Sequence, residues 1–535
     1  MMSRERLSII EKTIGQVLNG VVKKYPENVA LIYPDQDIRY DYKMFLVEIE
    51  RLAKGFLKIG LEIGDKVALW ANNIPQWIIC QMALAKIGAI LVPIDPGVGV
   101  EDLKYILEQS ETSYIVMEKG LEGGEYLSML SGIGHGLLCK HIVIGGDNDN
   151  DTISWEKLSG MGDQLDSRLL AEREDQIRAD DPVAIMYTSG TTGKPKGVVL
   201  DHVGLINKSM SSAHRQGLVD KDRLCLFFPL FHMFGNTCVA LTGIFKGATI
   251  VMPCKIFEPP RILSSISREK CTAIYASPSM VIALVDHADF SPEKFKTVSK
   301  GIIGGSPCPA ELMRRLVEDL GLSDITVAYG ITETSSWITM TKPGDPLDLR
   351  VSTIGTALEC NEVKILNPIS GKEMPAGNQG ELCARGFLMK EYYKLPAATA
   401  SAIDKDGWFH SGDLGEESKE GYFKITGRLK DVIVRNGIEI YPTDVEEVIY
   451  KLPGVSEVQV FGFSYPGKGQ EVAVWVKRRE GSNLSLRDLK EYGKGNIHKD
   501  KEPHYYKFVH EFPMTRSGKV QKFRLAELAE KEYLA

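Results

Sequence analysis

No stretch of this 535-residue chain reaches the about 18 consecutive apolar residues that a membrane-spanning helix needs. The richest segment, residues 67–94, is interrupted by Asn72, Asn73, Pro75, Gln76, Gln81 and Lys86. The start, Met1-Met2-Ser3-Arg4-Glu5-Arg6, leads into no apolar signal-peptide core. The nine cysteines are scattered and never stand at C-x-x-C spacing, which argues against a zinc ribbon or a thioredoxin-like redox pair. Buried, reduced thiols in a cytoplasmic protein are the expectation. A basic excess is also missing: Lys and Arg total 64 against 71 Asp and Glu, a formal charge of −7. That balance argues against a general nucleic-acid binder but allows a local basic pocket for a phosphorylated small molecule. Short-period repeats and low-complexity tracts are lacking too. A monomer and a homodimer both remain open.

Against these absences stands an ordinary globular composition, 43% hydrophobic and 25% charged. At about 150 residues per domain it suggests three or four compact units. Short β-rich runs at 66–70, 89–92, 114–117, 142–144, 183–186, 249–252, 272–275 and 325–328 alternate with helical spacing at 77–87, 259–266 and 309–320. Such alternation predicts an α/β fold with mainly parallel sheet. Residues 145–181 are polar and acid-rich and read as a surface loop before the next core strand. A second boundary falls near Arg428-Leu429-Lys430-Asp431, before a segment of a size that suits a small α+β domain.

The most informative stretch is Tyr187-Thr188-Ser189-Gly190-Thr191-Thr192-Gly193-Lys194-Pro195-Lys196-Gly197, directly after the 183–186 run. Glycines and small hydroxyl residues at a strand end let backbone N–H groups and hydroxyls converge on phosphate oxygens, and two lysines add charge. It is not a Walker A loop: Gly190 and Gly193 are too close, and Pro195 follows Lys194.

This stretch resembles the signature of the acyl-adenylating superfamily, which includes acyl-CoA synthetases, adenylation domains of nonribosomal peptide synthetases and beetle luciferases. The likeness runs from roughly residue 12 to 530, with the motifs in family order. Tyr329-Gly330-Ile331-Thr332-Glu333 follows the 325–328 run. The resemblance implies that Tyr329 stacks on adenine beside Ala328, Thr332 touches the α-phosphate and Glu333 holds Mg²⁺, a hard cation suited to a carboxylate. Gly304-Gly305-Ser306-Pro307 would line both the adenine and the acyl pocket. Asp413, in Ser411-Gly412-Asp413, would accept both ribose hydroxyls. Arg428 would reach the ribose or a phosphate, and Lys430 occupies the hinge position. Gly437 would line the CoA tunnel, and Lys519, in Phe512-Pro513-Met514-Thr515-Arg516-Ser517-Gly518-Lys519, would be the catalytic lysine.

The resemblance therefore implies residues 1–427 as an N-terminal adenylate-forming domain of layered α/β subdomains with a distorted β-barrel. It implies a hinge at 428–431 and a mobile α+β cap at 432–535. It further implies an AMP-forming carboxylate–CoA ligase using ATP, Mg²⁺ and CoA. Thr188, Ser189, Gly190, Thr191, Thr192, Gly193 and Lys196 would cradle the phosphates, while Glu333 and Lys519 offset charge as carboxylate and α-phosphate meet. Two other readings stand beside it: an enzyme that loads a carrier-protein thiol or oxidises its adenylate, and a non-catalytic nucleotide-binding protein. That the chain ends at Ala535, soon after the lysine motif, argues against a fused carrier domain. Pocket candidates are His232, Phe234, Thr237, Ser277, Gly304, Ala328, Ser336 and Trp337, with His232 orienting the carboxylate or gating CoA. They are mainly apolar with no cation for a second charged group. Together with a likeness to medium-chain synthetases at 380–386 and 512–523, they imply a medium-chain, alicyclic or aromatic monocarboxylate.

Overall fold

The computed structural model describes residues 8–120, 125–133, 140–146, 152–188, 194–306, 308–467, 469–514 and 520–534. Backbone contacts divide the chain into two compact units: Met1–Glu362 with Ala384–Phe409, and Val363–Cys383 with His410–Ala535.

The first unit holds two large sheets with helices between the strands, the α/β class the alternation predicts. One sheet runs in the order Glu391–Tyr392, Lys196–Asp201, Pro182–Thr188, Ile90–Pro93, Lys66–Trp70, Tyr114–Met117, Lys140–Val143, Thr152–Ser154. The other places Asp324–Ile331 between Ser336–Met340 and Lys300–Gly304, with Ala273–Ala276, Arg223–Cys225, Thr249–Val251 and Val29–Tyr33 beyond. Inner pairs are parallel, and antiparallel pairs lie toward the edges. The inner strands are buried along nearly their whole length, as parallel strands covered on both faces must be.

Helix Pro75–Ile87 is buried on every side, with Pro75 at its first turn and Gly88 closing it at φ 77°. Burial reaches even Lys86, whose Nζ meets Glu174 at 2.8 Å, Glu50 at 3.4 Å and Asn19 Oδ1 at 2.9 Å. A buried ammonium is tolerable only with partners of this kind.

The expected surface loop at 145–181 is corrected by the structure. It carries a strand, Thr152–Ser154, and two helices, Trp155–Gly162 and Ser167–Glu174. Ser154 caps the first helix by accepting from Lys157 N at 3.1 Å, and Trp155 and Leu158 are buried. That helix lies backbone-close to Tyr42–Lys58. A Cβ on Gly55 would sit 2.2 Å from Leu158 O, and one on Gly162 would sit 1.9 Å from Arg51 O. Glycines at the contact let the two backbones approach while Trp155 and Leu158 join the core, and a short helix with few apolar residues gives a weak hydrophobic pattern. The helix predicted at 309–320 starts as Ala310–Arg314 and finishes as a wider π-type stretch, Arg315–Asp319.

The second unit contains a four-stranded sheet in the order Glu362–Leu366, Gly380–Arg385, Phe409–Glu417, Phe423–Arg428. It also has a three-stranded sheet of Val455–Tyr465, Gly469–Arg478 and Tyr505–Val509, flanked by helices Pro442–Tyr450, Leu486–Asn496 and Lys522–Tyr533. Among the described residues no helix is long and apolar enough to cross a membrane.

Candidate active site

In the first unit, the strand Asp324–Ile331 delivers Ala328, Tyr329 and Gly330 to its C-terminal end. A single turn, Thr332–Thr334, carries Thr332 and Glu333. The chain then reverses through Ser335 and Ser336, whose φ values of 56° and 133° are unusual for residues with a Cβ. Thr334 Oγ1 fastens the reversal, lying 2.9 Å from both Ile331 O and Ser336 O. The neighbouring parallel strand Lys300–Gly304 aligns Gly304 with Ala328 and is followed by Gly305, at φ 87°, and Ser306. The turns that follow these two neighbouring strands therefore lie at the same end of one sheet.

Thr188 ends the strand Pro182–Thr188 and pairs across an antiparallel ladder with Lys196. Ser189, Gly190, Thr191, Thr192 and Gly193 lie outside the described residues, as does Pro307. The lysines flanking this loop sit over aromatic faces: Lys194 Nζ is 4.7 Å from the Tyr105 ring centroid and Lys196 Nζ 4.0 Å from that of Tyr392.

Tyr392 is the residue the sequence reading missed. Its phenol donates to Glu333 Oε1 at 2.7 Å, and Met389 N donates to Glu333 O at 2.7 Å. One ring thus lies under Lys196 and fixes Glu333. Burial, reinforced by the Glu333 carboxylate, pushes the Tyr392 hydroxyl above its ordinary value of 10.0, so it remains a donor at neutral pH. The two-residue strand Glu391–Tyr392 is too short to register as a pattern, which is why no local signal marked it. A partly exposed carboxylate held by one phenol fits Mg²⁺, which is usually bound by one or two carboxylates plus substrate phosphates.

Several acyl-pocket candidates form one aromatic group. Phe228 packs on His232 at 5.3 Å and on Phe234 at 4.5 Å between centroids, and Phe234 meets Trp337 edge-on at 4.9 Å. A Cβ on Gly304 would lie 3.0 Å from Trp337 Cη2 and 3.1 Å from Ala328 O, so Gly304, Ala328 and Trp337 are in close company. Ser336 Oγ lies 3.0 Å from Cys238 Sγ. His232 Nδ1 accepts from Phe234 N at 3.1 Å, which fixes the ring's orientation. Thr237 is buried on the π-type turn Phe234–Leu241 with its hydroxyl donating to Asn236 Oδ1 at 3.1 Å. Ser277 serves as the N-cap of helix Pro278–Val285, its Oγ accepting from Met280 N at 3.4 Å.

In the second unit Asp413 is buried, and its Oδ1 receives Arg428 Nε at 2.7 Å from the directly opposite position of the next strand. Lys430 is exposed in the single turn Leu429–Asp431. Gly437 is also exposed, following Asn436 in a two-residue turn where both have positive φ, 54° and 78°. Asn-Gly suits such a hairpin. Lys519 and residues 515–518 lie outside the described residues; the described flanks pair at Met514 and Val520.

The chain matches the family described as AMP-binding enzyme over residues 18–393 and the AMP-binding enzyme C-terminal domain over residues 444–519. It is 39% identical to YngI of Bacillus subtilis (strain 168), whose name proposes an acyl-CoA synthetase, over 97% of each chain. The medium-chain acyl-CoA ligase ACSF2, mitochondrial, of Danio rerio is 32% identical over 97% of this chain and 89% of that one. The crystal structure of ATP-bound MatB from Rhodopseudomonas palustris superposes with a TM-score of 0.87 at 25% identity, covering 98% of this chain and 100% of that one.

Proposed function

We propose an acid and a residue-level mechanism for a chain that belongs to the AMP-binding enzyme family and is an AMP-forming acid–thiol ligase of the acyl-CoA synthetase type. The observation that carries the mechanism is Tyr392. Its phenol holds Glu333, and its ring lies beneath Lys196. It thus links the adenylate-side turn to the strand that leaves the phosphate loop.

In the first half-reaction a substrate carboxylate attacks the α-phosphorus of ATP, forming an acyl-adenylate and expelling pyrophosphate. Two anions must meet, so the site has to supply positive charge and orientation. Thr188 and Lys196, with Ser189, Gly190, Thr191, Thr192 and Gly193, hold the phosphates. Glu333 would hold Mg²⁺, which would supply Lewis-acid neutralisation of the phosphate oxygens. Thr332 donates to the α-phosphate, Tyr329 stacks on adenine beside Ala328, Gly304, Gly305 and Ser306, and Asp413 with Arg428 takes the ribose. Lys519 neutralises charge between carboxylate and α-phosphate. In the second half-reaction the region after 427 turns about Lys430, Gly437 lines the path of CoA, and the thiol attacks the acyl carbonyl with loss of AMP.

The acid is a medium-chain, alicyclic or aromatic monocarboxylate. The aromatic group of Phe228, Phe234 and Trp337 supports an apolar substrate. The closeness of Trp337 to Gly304 supports a limit on its length. The name of the Danio rerio relative, a medium-chain ligase, points the same way. A panel of acids scored by pyrophosphate exchange and by AMP release with free CoA tests the reading. Exchange with no acid refutes it. Exchange without CoA-dependent AMP release redirects the thioester to a carrier-protein thiol.

A further inference from the structure

Three side chains on adjacent strands of the second unit converge beside Asp413 without any part in the chemistry above: Glu381, Cys383 and His410. Glu381 is 6% exposed. Its Oε2 lies 2.7 Å from His410 Nδ1, and its Oε1 accepts the backbone N–H of Gly412 at 2.9 Å. A carboxylate only accepts, so His410 Nδ1 carries the proton. Cys383 Sγ lies 3.5 Å from the same nitrogen. The residue types could suit zinc, but ligands across a tetrahedral ion stand about 3.3 Å apart. The 2.7 Å nitrogen–oxygen contact is instead a direct hydrogen bond.

The backbone explains what that bond does. Gly412 has φ 70° in the middle of strand Phe409–Glu417, which breaks the regular ladder. Its N–H therefore points at Glu381. On either side, Ser411 Oγ donates to Leu382 O at 2.6 Å and accepts from Asp413 N at 3.0 Å. Residues 410 to 412 are thus fastened to residues 381 and 382 by three hydrogen bonds, Glu381 to His410, Glu381 to Gly412 and Ser411 to Leu382, and a fourth, Asp413 N to Ser411 Oγ, ties Asp413 to that set. All four run through the side chains of Glu381 or Ser411, which no substrate would touch in the reading above. The last delivers Asp413, with its carboxylate already oriented by Arg428.

We infer that Glu381 is a positioning residue for the nucleotide: by holding Gly412 and His410 it sets where the Asp413 carboxylate meets the ribose hydroxyls. This rests on the assignment of Asp413 to the ribose. The test measures pyrophosphate exchange with ATP and with 2′,3′-dideoxy-ATP, which lacks the hydroxyls, in wild type, Glu381→Ala, Glu381→Gln, His410→Ala and Asp413→Asn. A hydrogen bond to a charged group lost from the nucleotide predicts that Glu381→Ala shrinks the preference for ATP by about tenfold. Turnover of the dideoxy nucleotide should hold steady. Glu381→Gln restores most of the preference, because its amide oxygen still accepts from Gly412 N and His410 can switch tautomer. His410→Ala falls between, and gives a second reading should Glu381→Ala fail to fold. Equal losses with both nucleotides, or no rescue by glutamine, overturn the proposal. If Asp413→Asn itself leaves the preference unchanged, the ribose assignment fails, and the role given to Glu381 fails with it.

Discussion

Replacing Lys208 by Met probes a buried amine that the reaction does not use. Lys208 lies on helix His202–Arg215 with 1% exposure. Its Nζ donates to Asn361 Oδ1 and to Trp337 O, the latter at 3.4 Å. Burial pushes the ammonium down from an ordinary value of 10.5 to about 7. The unfolded chain therefore holds a proton between about pH 7 and 10.5 that the folded chain has released. Stability must rise with pH across that window, by about 1.4 kcal/mol per pH unit once the folded group is neutral. Allowing for partial protonation at pH 7, wild type gains about 1.5 kcal/mol from this group between pH 7 and 8.5. Met fills similar space with an apolar, flexible chain, and loses the hydrogen bonds at a pH-independent cost of about 1–2 kcal/mol. The upper pH stays below 9 because the Cys360 thiol, ordinarily at 9.0 and raised chiefly by burial, acts in the opposite sense there. Urea unfolding at the two pH values gives the stability of each protein. The variant should lose about 1.5 kcal/mol relative to wild type on going from pH 7 to 8.5. A difference that stays constant with pH would mean that Lys208 keeps its proton in the fold, and would refute the argument.

The mechanism makes four further predictions. Lys519→Ala should suppress adenylate formation, read by pyrophosphate exchange, by about a hundredfold or more, while supplied acyl-adenylate still gives thioester. Tyr392→Phe leaves Glu333 without its phenol donor; adenylation should fall by about tenfold and need more Mg²⁺, with the acid preference unchanged in the substrate panel. Trp337→Leu removes the ring that closes on Gly304 and should raise kcat/KM for a longer acid relative to a medium-chain one by about tenfold. Gly304→Ala should shift the same ratio the other way.

The sheets were largely legible because their inner strands are short, apolar and flanked by turn residues. The 66–70 and 325–328 runs announce themselves, and the strands Lys66–Trp70 and Asp324–Ile331 contain them. Residues 145–181 failed on the same logic, since their helix contacts use Gly55 and Gly162 where a pattern looks for Leu or Ile. The turns proposed to face the nucleotide stand out for a different reason: Tyr329 to Glu333 are five consecutive residues, so the chemistry assigned to them is local in the chain. The residues that hold those turns are not. Tyr392 reaches back to Glu333, and Glu381 reaches forward to Gly412. The two buried lysines differ only in their surroundings. Lys86 is met by two carboxylates, Lys208 by an amide and a carbonyl, and neither setting is written near the lysine itself.

The same contrast explains why the reaction is easier to read than the acid. In the proposed mechanism phosphate and adenine are met by contiguous turns at strand ends, where backbone N–H groups, a hydroxyl and a carboxylate arrive in fixed order. The proposed acyl wall is assembled from separate segments: Phe228 and Phe234 before and on one turn, Gly304 at the end of one strand, Trp337 on another. What it admits depends on how far a Trp337 ring stands from a glycine and how a phenylalanine meets its edge, at 3.0 Å from the position of an added Cβ and 4.9 Å between centroids. One methylene at such a contact changes discrimination by about ten- to two-hundredfold while leaving every motif intact. Two chains with identical phosphate and lysine motifs can therefore run the same chemistry on different acids. A change at Trp337 or Gly304, and not one in the signature turns, is what should move this enzyme from one acid to another.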